Sequence, residues 1–182
     1  MWDTVIGAGS LIVAALGVFF GYFSWKKQEI RHESVLQWSN EVIVCLQHMI
    51  IHLKHFYKDD KEGIFLMESV SKTSILIEQG RLFFKNQVVD DHGESKPNAY
   101  RGYRPEILDQ ILIAHLIALN WRGSSVEDRK LLLVSLEDCA KNFVSLAQQE
   151  VGRNRTACVE TSRGGRHISI EYILDDAKRI AY

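Results

Sequence analysis

Residues 4–25 read TVIGAGSLIVAALGVFFGYFSW, and none of these 22 side chains is charged. In a helix they would extend for about 33 Å, which is enough to cross a hydrocarbon core of about 30 Å. Ten of them are Val, Ile, Leu or Phe, which favours insertion into lipid by roughly 3 to 6 kcal/mol. With Trp2 before the run and Tyr22 and Trp25 at its end, residues 1–25 are predicted to form a transmembrane anchor.

The charges on either side of this segment predict its orientation. Only Asp3 and the amino terminus precede it, whereas Lys26, Lys27 and Arg31 follow it directly. Positive residues accumulate on the cytoplasmic side of membrane helices, so we expect the N-terminus outside and the rest of the chain in the cytoplasm. A cleaved signal peptide would instead carry its positive charges before the apolar run.

Small residues recur every three or four positions along the segment and therefore lie on one stripe of a helix. Small side chains let two membrane helices approach closely, and residues 17–21 also match the GxxxG pattern. We therefore expect self-association, while noting that Gly and Ala are common in membrane helices generally. The predicted oligomerisation residues are Gly7, Ser10, Ala14, Gly17 and Gly21.

The composition of the whole chain narrows the classes of function. The 182 residues contain 22 Lys and Arg against 23 Asp and Glu, which gives a net charge of -1. Because there is no basic excess, we expect no specific nucleic-acid partner. The widely spaced Cys45, Cys139 and Cys158 lack metal-ligand spacing and fit a reducing compartment. No cofactor and no enzyme activity are predicted, since phosphate-loop and nucleophile motifs are missing from the sequence.

Beyond the anchor, apolar residues repeat at three- and four-residue spacing, which is typical of amphipathic helices. The residues predicted to face the core are Val35, Trp38, Val42, Cys45, Leu46, Met49, Leu53 and Phe56, then Leu66, Val70, Ile75 and Ile77, then Ile107, Leu108, Ile111, Leu112, His115, Leu116 and Leu119, and finally Leu132, Leu133, Leu136, Cys139, Ala140, Phe143, Leu146 and Ala147. No Gly or Pro lies between Trp25 and Gly63, so we expect the anchor to continue into the first of these helices without a break. Gly80 is interpreted as a helix terminator, and Ser124 with Glu127 as a capping box. The predicted helices cover residues 30–57, 64–80, 105–123 and 124–151.

The sequence thus predicts an all-α fold, with one N-terminal transmembrane helix followed by a cytoplasmic antiparallel helical bundle of about four helices at 26–151. Residues 86–104 are rich in Asp, Gly, Asn and Pro and are interpreted as a long loop, a feature that is often functional. Residues 152–182 are interpreted as an Arg/Gly-rich loop with a short C-terminal element. That element reads as a strand at 167–174 or a helix at 175–180, and the helix is preferred.

The most distinctive part of the sequence runs from Ile77 to Asp109. It contains EQGRLFFKN at 78–86, AYRGYR at 99–104 and ILD at 107–109. These motifs resemble those of uncharacterised bacterial single-pass membrane proteins, whose pattern reads E-R-G-R-x-F-F-P-N, then A-Y-R-G-x-R, then I/V-L-D. Gln79 and Lys85 depart from the Arg and Pro of that pattern. The resemblance implies a bacterial inner-membrane protein with a cytoplasmic helical domain, and helix extending through Arg81, but it implies no activity.

The motif concentrates charged and aromatic side chains, and two interpretations are open. In the first, Arg guanidinium groups bind a phosphate and a Tyr stacks on a base or ring of the same ligand. In the second, which the sequence favours, the charges pair with one another and hold the long loop against the bundle. The candidate ligand-binding residues are Arg81, Lys85, Tyr100, Arg101, Tyr103, Arg104 and Asp109.

Two clusters of side chains are weak candidates for a metal site. His48, His52 and His55 share a helix face, and i, i+4 histidines hold zinc in known helical motifs. They lie away from the apolar stripe and have no evident fourth ligand, so they are weak candidates and no metal is predicted. The acidic cluster at 90–94 is better explained as a solvated loop.

The leading functional hypothesis is a non-enzymatic, membrane-anchored cytoplasmic module for interaction or sensing. Its partners would be the lipid bilayer, further copies of itself and an unidentified protein. One concrete version is an oligomerising membrane effector in a bacterial defence cassette. The alternative is a receptor or enzyme for a phosphorylated small molecule, which requires the motif side chains to converge on an open cleft.

Overall fold

The computed structural model describes residues 2–56 and 63–152, with side chains described from residue 16 onward. The predicted loop and short terminal helix of 153–182 lie outside the described residues, as does Tyr57 at the end of the first predicted helix. Within the described ranges the regular elements are helices, and one isolated antiparallel bridge joins Gln87 to Tyr103. The all-α class is therefore confirmed.

The described part of the chain contains four α-helices. Their bounds are Trp2–Ile51 for α1, Ile64–Phe83 for α2, Glu106–Asn120 for α3 and Val126–Glu150 for α4. A π-helical turn at His52–Phe56 extends α1, and 3₁₀ turns lie at Asn98–Tyr100 and Trp121–Gly123. As predicted, α1 continues through residues 25–30 without a break.

The helices form an antiparallel four-helix bundle in which each helix contacts the next and α4 closes onto α1. Trp38 in α1 bonds to Leu76 in α2, whereas His52, a few turns later, stacks on Phe65. Because residue numbers rise in α1 while they fall in α2, the two helices run in opposite directions. Between α2 and α3, the Thr73 hydroxyl lies 2.9 Å from His115 Nδ1, and Gly80 lies against Leu108. Residue numbers again rise in one helix while they fall in the other, so α2 and α3 are also antiparallel.

Trp38 lies at the centre of the core where the helices meet. Its indole N–H donates to the Leu76 carbonyl at 2.9 Å, and its ring lies 5.4 Å from that of Phe84 and 5.6 Å from that of Phe143. The buried α1 residues match the predicted stripe from Val35 to Leu53. Predicted core positions that are instead exposed are Phe56, Ile75, Leu116 and Leu119.

Gly80 does not terminate a helix, so that interpretation was wrong. α2 continues to Phe83, and Gly80 is buried inside it. A Cβ atom at this position would lie 2.8 Å from Trp38 Cζ2 and would collide with a methyl group of Leu108. Glycine is therefore required here because α1, α2 and α3 approach one another at this point.

The predicted capping box is shifted by one residue. Ser125, not Ser124, is the N-cap of α4, and its hydroxyl accepts from the Asp128 backbone N–H at 3.1 Å. Ser124 instead donates to the Asn120 carbonyl at 2.8 Å and so belongs to the end of the preceding helical segment.

The first half of α1 differs from the second. Side chains from Leu16 to Gln28 are exposed, and regular burial begins at Val35. Among the helices of the described residues, none combines the length and the apolar character needed to cross a bilayer. The transmembrane helix therefore stays a prediction.

Candidate functional site

The distinctive motif lies at the end of the bundle where α2 stops and α3 starts. The connecting loop is closed by Gln87 and Tyr103, whose backbones exchange two hydrogen bonds of 2.8 Å. The Gly102 N–H donates to the His92 carbonyl at 3.0 Å. These bonds fix the backbone that carries the two tyrosines.

Gly102 is essential to this geometry. Its φ is +85°, a left-handed conformation that side-chain-bearing residues rarely adopt. A Cβ atom there would lie 2.8 Å from the carbonyl carbon of Gln87. The AYRGYR motif therefore needs glycine at its fourth position so that the two halves of the loop can pair at Gln87 and Tyr103.

Arg81, Glu78 and Tyr100 form one connected cluster. Arg81 Nε lies 3.3 Å from Glu78 Oε1, and the Tyr100 hydroxyl donates to Glu78 Oε2 at 2.7 Å. The guanidinium carbon of Arg81 lies 4.4 Å from the centre of the Tyr100 ring, and the Arg81 side chain is only 10% exposed. The hydrogen bond to Glu78, together with the carboxylate charge, raises the pKa of Tyr100. Part of the motif is thus paired internally, as the structural interpretation predicts.

Two further ion pairs involve the arginines of the loop. Arg104 Nη1 lies 3.3 Å from Asp109 Oδ1, and Arg101 Nη2 lies 3.8 Å from Glu94 Oε1. The Arg104 and Arg101 side chains are 26% and 35% exposed, respectively. Both pairs are partly solvated, so each contributes little to stability.

An open cavity of about 610 Å³ lies beside these groups. Its volume falls within the range of about 300 to 1,000 Å³ that is usual for small-molecule sites. Of the seven predicted ligand-binding residues, Arg81, Tyr100, Tyr103, Arg104 and Asp109 line it, whereas Lys85 and Arg101 do not. The other lining residues are Asn86, His92, Lys96, Pro97, Gly102 and Leu112.

The described lining of the cavity carries more cationic than anionic side chains. Three permanent cations, on Arg81, Lys96 and Arg104, face one carboxylate, that of Asp109, among the described lining residues. Lys96 has no ion-pair partner within the described part of the chain. The arrangement therefore favours an anion over a neutral ligand.

Some polar atoms near the cavity are not satisfied by the protein. Asn86 Oδ1, Arg101 Nε and Arg104 Nε are buried and have no hydrogen-bond partner among the described residues. A buried polar group without a partner costs about 1 to 3 kcal/mol. Internal pairing is thus incomplete on the cavity side of the motif, which the purely structural interpretation does not explain.

An aromatic pair forms part of the cavity wall. The rings of His92 and Tyr103 are 4.2 Å apart and nearly parallel, with an angle of 6°. Asn86, His92 and Lys96 were not among the predicted site residues, although all three lie in or between the segments of the motif. Their spacing along the chain gives no sign that they share a cavity, because the loop fold brings them together.

The other predicted clusters are not brought together as metal sites. His52 stacks on Phe65 with ring centres 3.7 Å apart, so it belongs to the interface between α1 and α2. Among the described residues, no group of three His, Cys, Asp or Glu is placed to hold a metal ion, either at His48, His52 and His55 or in the 90–94 cluster.

The oligomerisation stripe is only partly described. At Gly17 and Gly21 a Cβ atom would meet nothing within 4 Å, so these positions are open for a neighbouring helix. The side chains of Ser10 and Ala14, and the surroundings of Gly7, lie outside the described set.

Comparison with protein-family models, with curated proteins and with solved structures found no match to this chain in any of the three. The resemblance to bacterial single-pass proteins therefore stays a prediction.

Proposed function

We propose that this protein is a membrane-anchored module whose cytoplasmic helical bundle binds a phosphorylated ligand in the cavity at residues 78–109. The observation that carries the proposal is the convergence of Arg81, Lys96 and Arg104 on one open cavity, whose described lining includes one carboxylate, that of Asp109. A phosphate group would add the acceptor oxygens that guanidinium and ammonium donors prefer. The role is binding or sensing, and no reaction is proposed.

The membrane anchor is supported by the uncharged run 4–25 and by the exposure of its described part. Large apolar residues on successive turns of α1 are exposed, and an apolar surface of this kind requires lipid or a partner. They are Leu16, Val18, Phe19, Phe20, Tyr22, Phe23 and Trp25. With the charge asymmetry and the family resemblance, these residues support a bacterial inner-membrane location with the N-terminus outside.

The ligand site is tested by thermal unfolding of the full-length chain in mild detergent with inorganic phosphate, glycerol 3-phosphate and AMP. We expect at least one phosphate compound to raise the unfolding temperature. In Arg104→Gln, the affinity for that compound should fall by about tenfold or more, because a charge-assisted hydrogen bond contributes about 1.5 to 3 kcal/mol. Lys130→Gln, an exposed cation on α4 remote from the motif, is the matched control.

Stabilisation that is equal in wild type and Arg104→Gln would show that the phosphate binds elsewhere. If no phosphate compound stabilises the wild-type protein, the ligand part of the proposal is wrong. The anchor has its own test: the untagged chain should stay with membranes after alkaline carbonate washing. Recovery in the supernatant would refute the anchor, and it would leave the proposed ligand site in the cavity unaffected.

We also propose that the small-residue stripe assembles protomers in the membrane, which would suit a membrane effector of a defence cassette. The open positions at Gly17 and Gly21 support it. Gly17→Leu/Gly21→Leu should reduce the signal of a membrane dimerisation reporter, whereas Phe19→Leu/Phe23→Leu, on the opposite face of the helix, should not. Equal signals from the two variants would rule out the stripe, and an unchanged membrane potential on overexpression would argue against an effector.

A further inference from the structure

The cavity lies at the end of the bundle where α1 enters from its exposed half. The Arg31 guanidinium donates to the Phe83 carbonyl at 3.2 Å, so residue 31 of α1 lies beside the end of α2. Arg31 follows Trp25 by six residues, or about 9 Å of helix. Lipid headgroups occupy roughly 5 to 8 Å beyond the hydrocarbon core. An anchor that ends at Trp25 therefore holds this end of the bundle next to the headgroup layer.

The same end of the bundle exposes apolar side chains. Leu82 at the end of α2 is 82% exposed, and Val88 and Val89 in the loop are 58% and 48% exposed. Tyr103 is 53% exposed, and its backbone pairs with Gln87, the residue that directly precedes Val88. Single exposed apolar residues are ordinary on protein surfaces. Grouped at one end with a half-exposed tyrosine, they have the composition of an interfacial membrane contact.

Cations accompany these apolar groups. Lys85 and Lys96 are exposed and form no ion pair within the described part of the chain, and Arg104 lines the cavity together with Lys96. Asp90 and Asp91 in the same loop oppose attraction to an anionic surface. Binding of this end of the bundle to an anionic membrane therefore needs the apolar contacts in addition to the cations.

We propose that the rim formed by Leu82, Lys85, Val88, Val89 and Lys96 docks on the anionic inner leaflet, and that the cavity receives the phosphate of a phospholipid headgroup. This inference rests on the proposed anchor and phosphate site and names the membrane as the source of the phosphate. Two lysines contact the leaflet surface, two valines and a leucine enter the interface, and Arg104 faces the headgroup phosphate.

The test places a spin label at Val88→Cys in the full-length chain, in a Cys158→Ser background, reconstituted in nanodiscs. Cys45 and Cys139 are buried, and burial raises the pKa of both thiols, to about 11 for Cys139, so neither competes for the label. The matched control is Gly123→Cys in the turn at the opposite end of the bundle. Nanodiscs contain phosphatidylcholine alone or with phosphatidylglycerol.

In anionic nanodiscs we expect the label at 88 to be accessible to lipid-dissolved oxygen and the label at 123 to a water-soluble relaxant. Lys85→Gln and Lys96→Gln should each lower the ratio of docked to undocked protein by about fivefold, since one basic residue near an anionic surface contributes about that factor. Asp90→Asn/Asp91→Asn should raise the ratio.

Equal accessibility at positions 88 and 123 in anionic nanodiscs would overturn the inference, as would a label at 88 that does not respond to phosphatidylglycerol. If glycerol 3-phosphate stabilises the protein through Arg104 while the label at 88 stays in water, the phosphate site is correct and its source is soluble. If the chain fails to enter nanodiscs and no phosphate compound stabilises it, the proposed function fails as well.

Discussion

Gly80 and Arg81 are adjacent in α2 and lie in opposite environments. Gly80 is enclosed by Trp38 and Leu108 where three helices meet, whereas Arg81 lies under the Tyr100 ring beside an open cavity. The distinctive motif therefore has a core side and a cavity side. On the core side Gly80 is in close contact with Trp38 and Leu108, while on the cavity side Asn86 Oδ1 and Arg104 Nε have no partner among the described residues. One sequence motif thus serves packing and carries the candidate site, so the two interpretations of it are not exclusive.

Gly80→Ala should produce the largest effect and test the core side. Its new methyl group has no room against Trp38 and Leu108, and overpacking of a core costs about 1 to 3 kcal/mol. Denaturant unfolding of the full-length chain in mild detergent should show this loss of stability.

The matched control is Gly123→Ala, because a Cβ atom at Gly123 meets nothing within 4 Å. It should leave the free energy of unfolding within about 0.5 kcal/mol of wild type. Equal effects of the two substitutions would mean that the close approach of three helices at Gly80 is not the reason for glycine there.

Gly102→Ala should have the next largest effect, and it is aimed at the cavity side. The left-handed conformation costs about 1 to 2 kcal/mol for alanine, and the clash with the Gln87 carbonyl adds to it. We expect faster amide hydrogen exchange at Gln87 and Tyr103 and loss of phosphate binding, with α-helical content unchanged.

Gly152→Ala separates the two causes. Gly152 has a φ of +61° with open space around it. Alanine at this position therefore lowers the free energy of unfolding only by the cost of the left-handed conformation. If Gly102→Ala lowers the free energy of unfolding no more than Gly152→Ala does, the predicted clash is absent.

Trp38→Phe should have an intermediate effect on the core side. It keeps an aromatic ring beside Phe84 and Phe143 but removes the bond to the Leu76 carbonyl, which typically contributes about 1 kcal/mol. The free energy of unfolding should fall by about this amount plus the cost of the lost ring volume, while phosphate affinity stays unchanged. A parallel loss of affinity would show that the two sides of the motif are coupled.

The sequence predicted the helices better than their ends. The spacing of Val35, Trp38 and Val42 reports burial directly, because one face of a helix must meet the core. Gly80 and Ser124 were misread because a glycine or serine near a helix end has several possible roles. Only contacts with distant residues, such as Leu108 beside Gly80, decide between them.

The site was predicted in part for the same reason. Arg81, Tyr100 and Arg104 were identified from a dense motif, yet Lys85 and Lys96 are indistinguishable in the sequence. Only the loop geometry places Lys96 in the cavity and Lys85 outside it. Glu78 and Tyr100 are 22 residues apart and still share a hydrogen bond, a contact that no local pattern reveals.

The smallest predicted effect is a change in the titration of Tyr100. Its pKa is raised because the neutral hydroxyl donates to the Glu78 carboxylate and because the phenolate would be repelled by it. The bond is therefore intact below pH 10, near the ordinary tyrosine pKa, and is lost as the pH rises through the raised value. Glu78→Gln removes the charge while keeping an acceptor, so the pKa of Tyr100 should fall toward its ordinary value.

Tyrosine-selective isotope labelling and NMR titration would measure this shift. Glu94→Gln is the matched control, because Glu94 pairs with Arg101 rather than with Tyr100. The cluster also restrains Arg81, since Glu78 occupies its Nε donor. Glu78→Gln should therefore strengthen phosphate binding slightly by leaving the Arg81 charge less neutralised. A weaker affinity in Glu78→Gln would mean that Glu78 positions Arg81 for the ligand instead of competing with it.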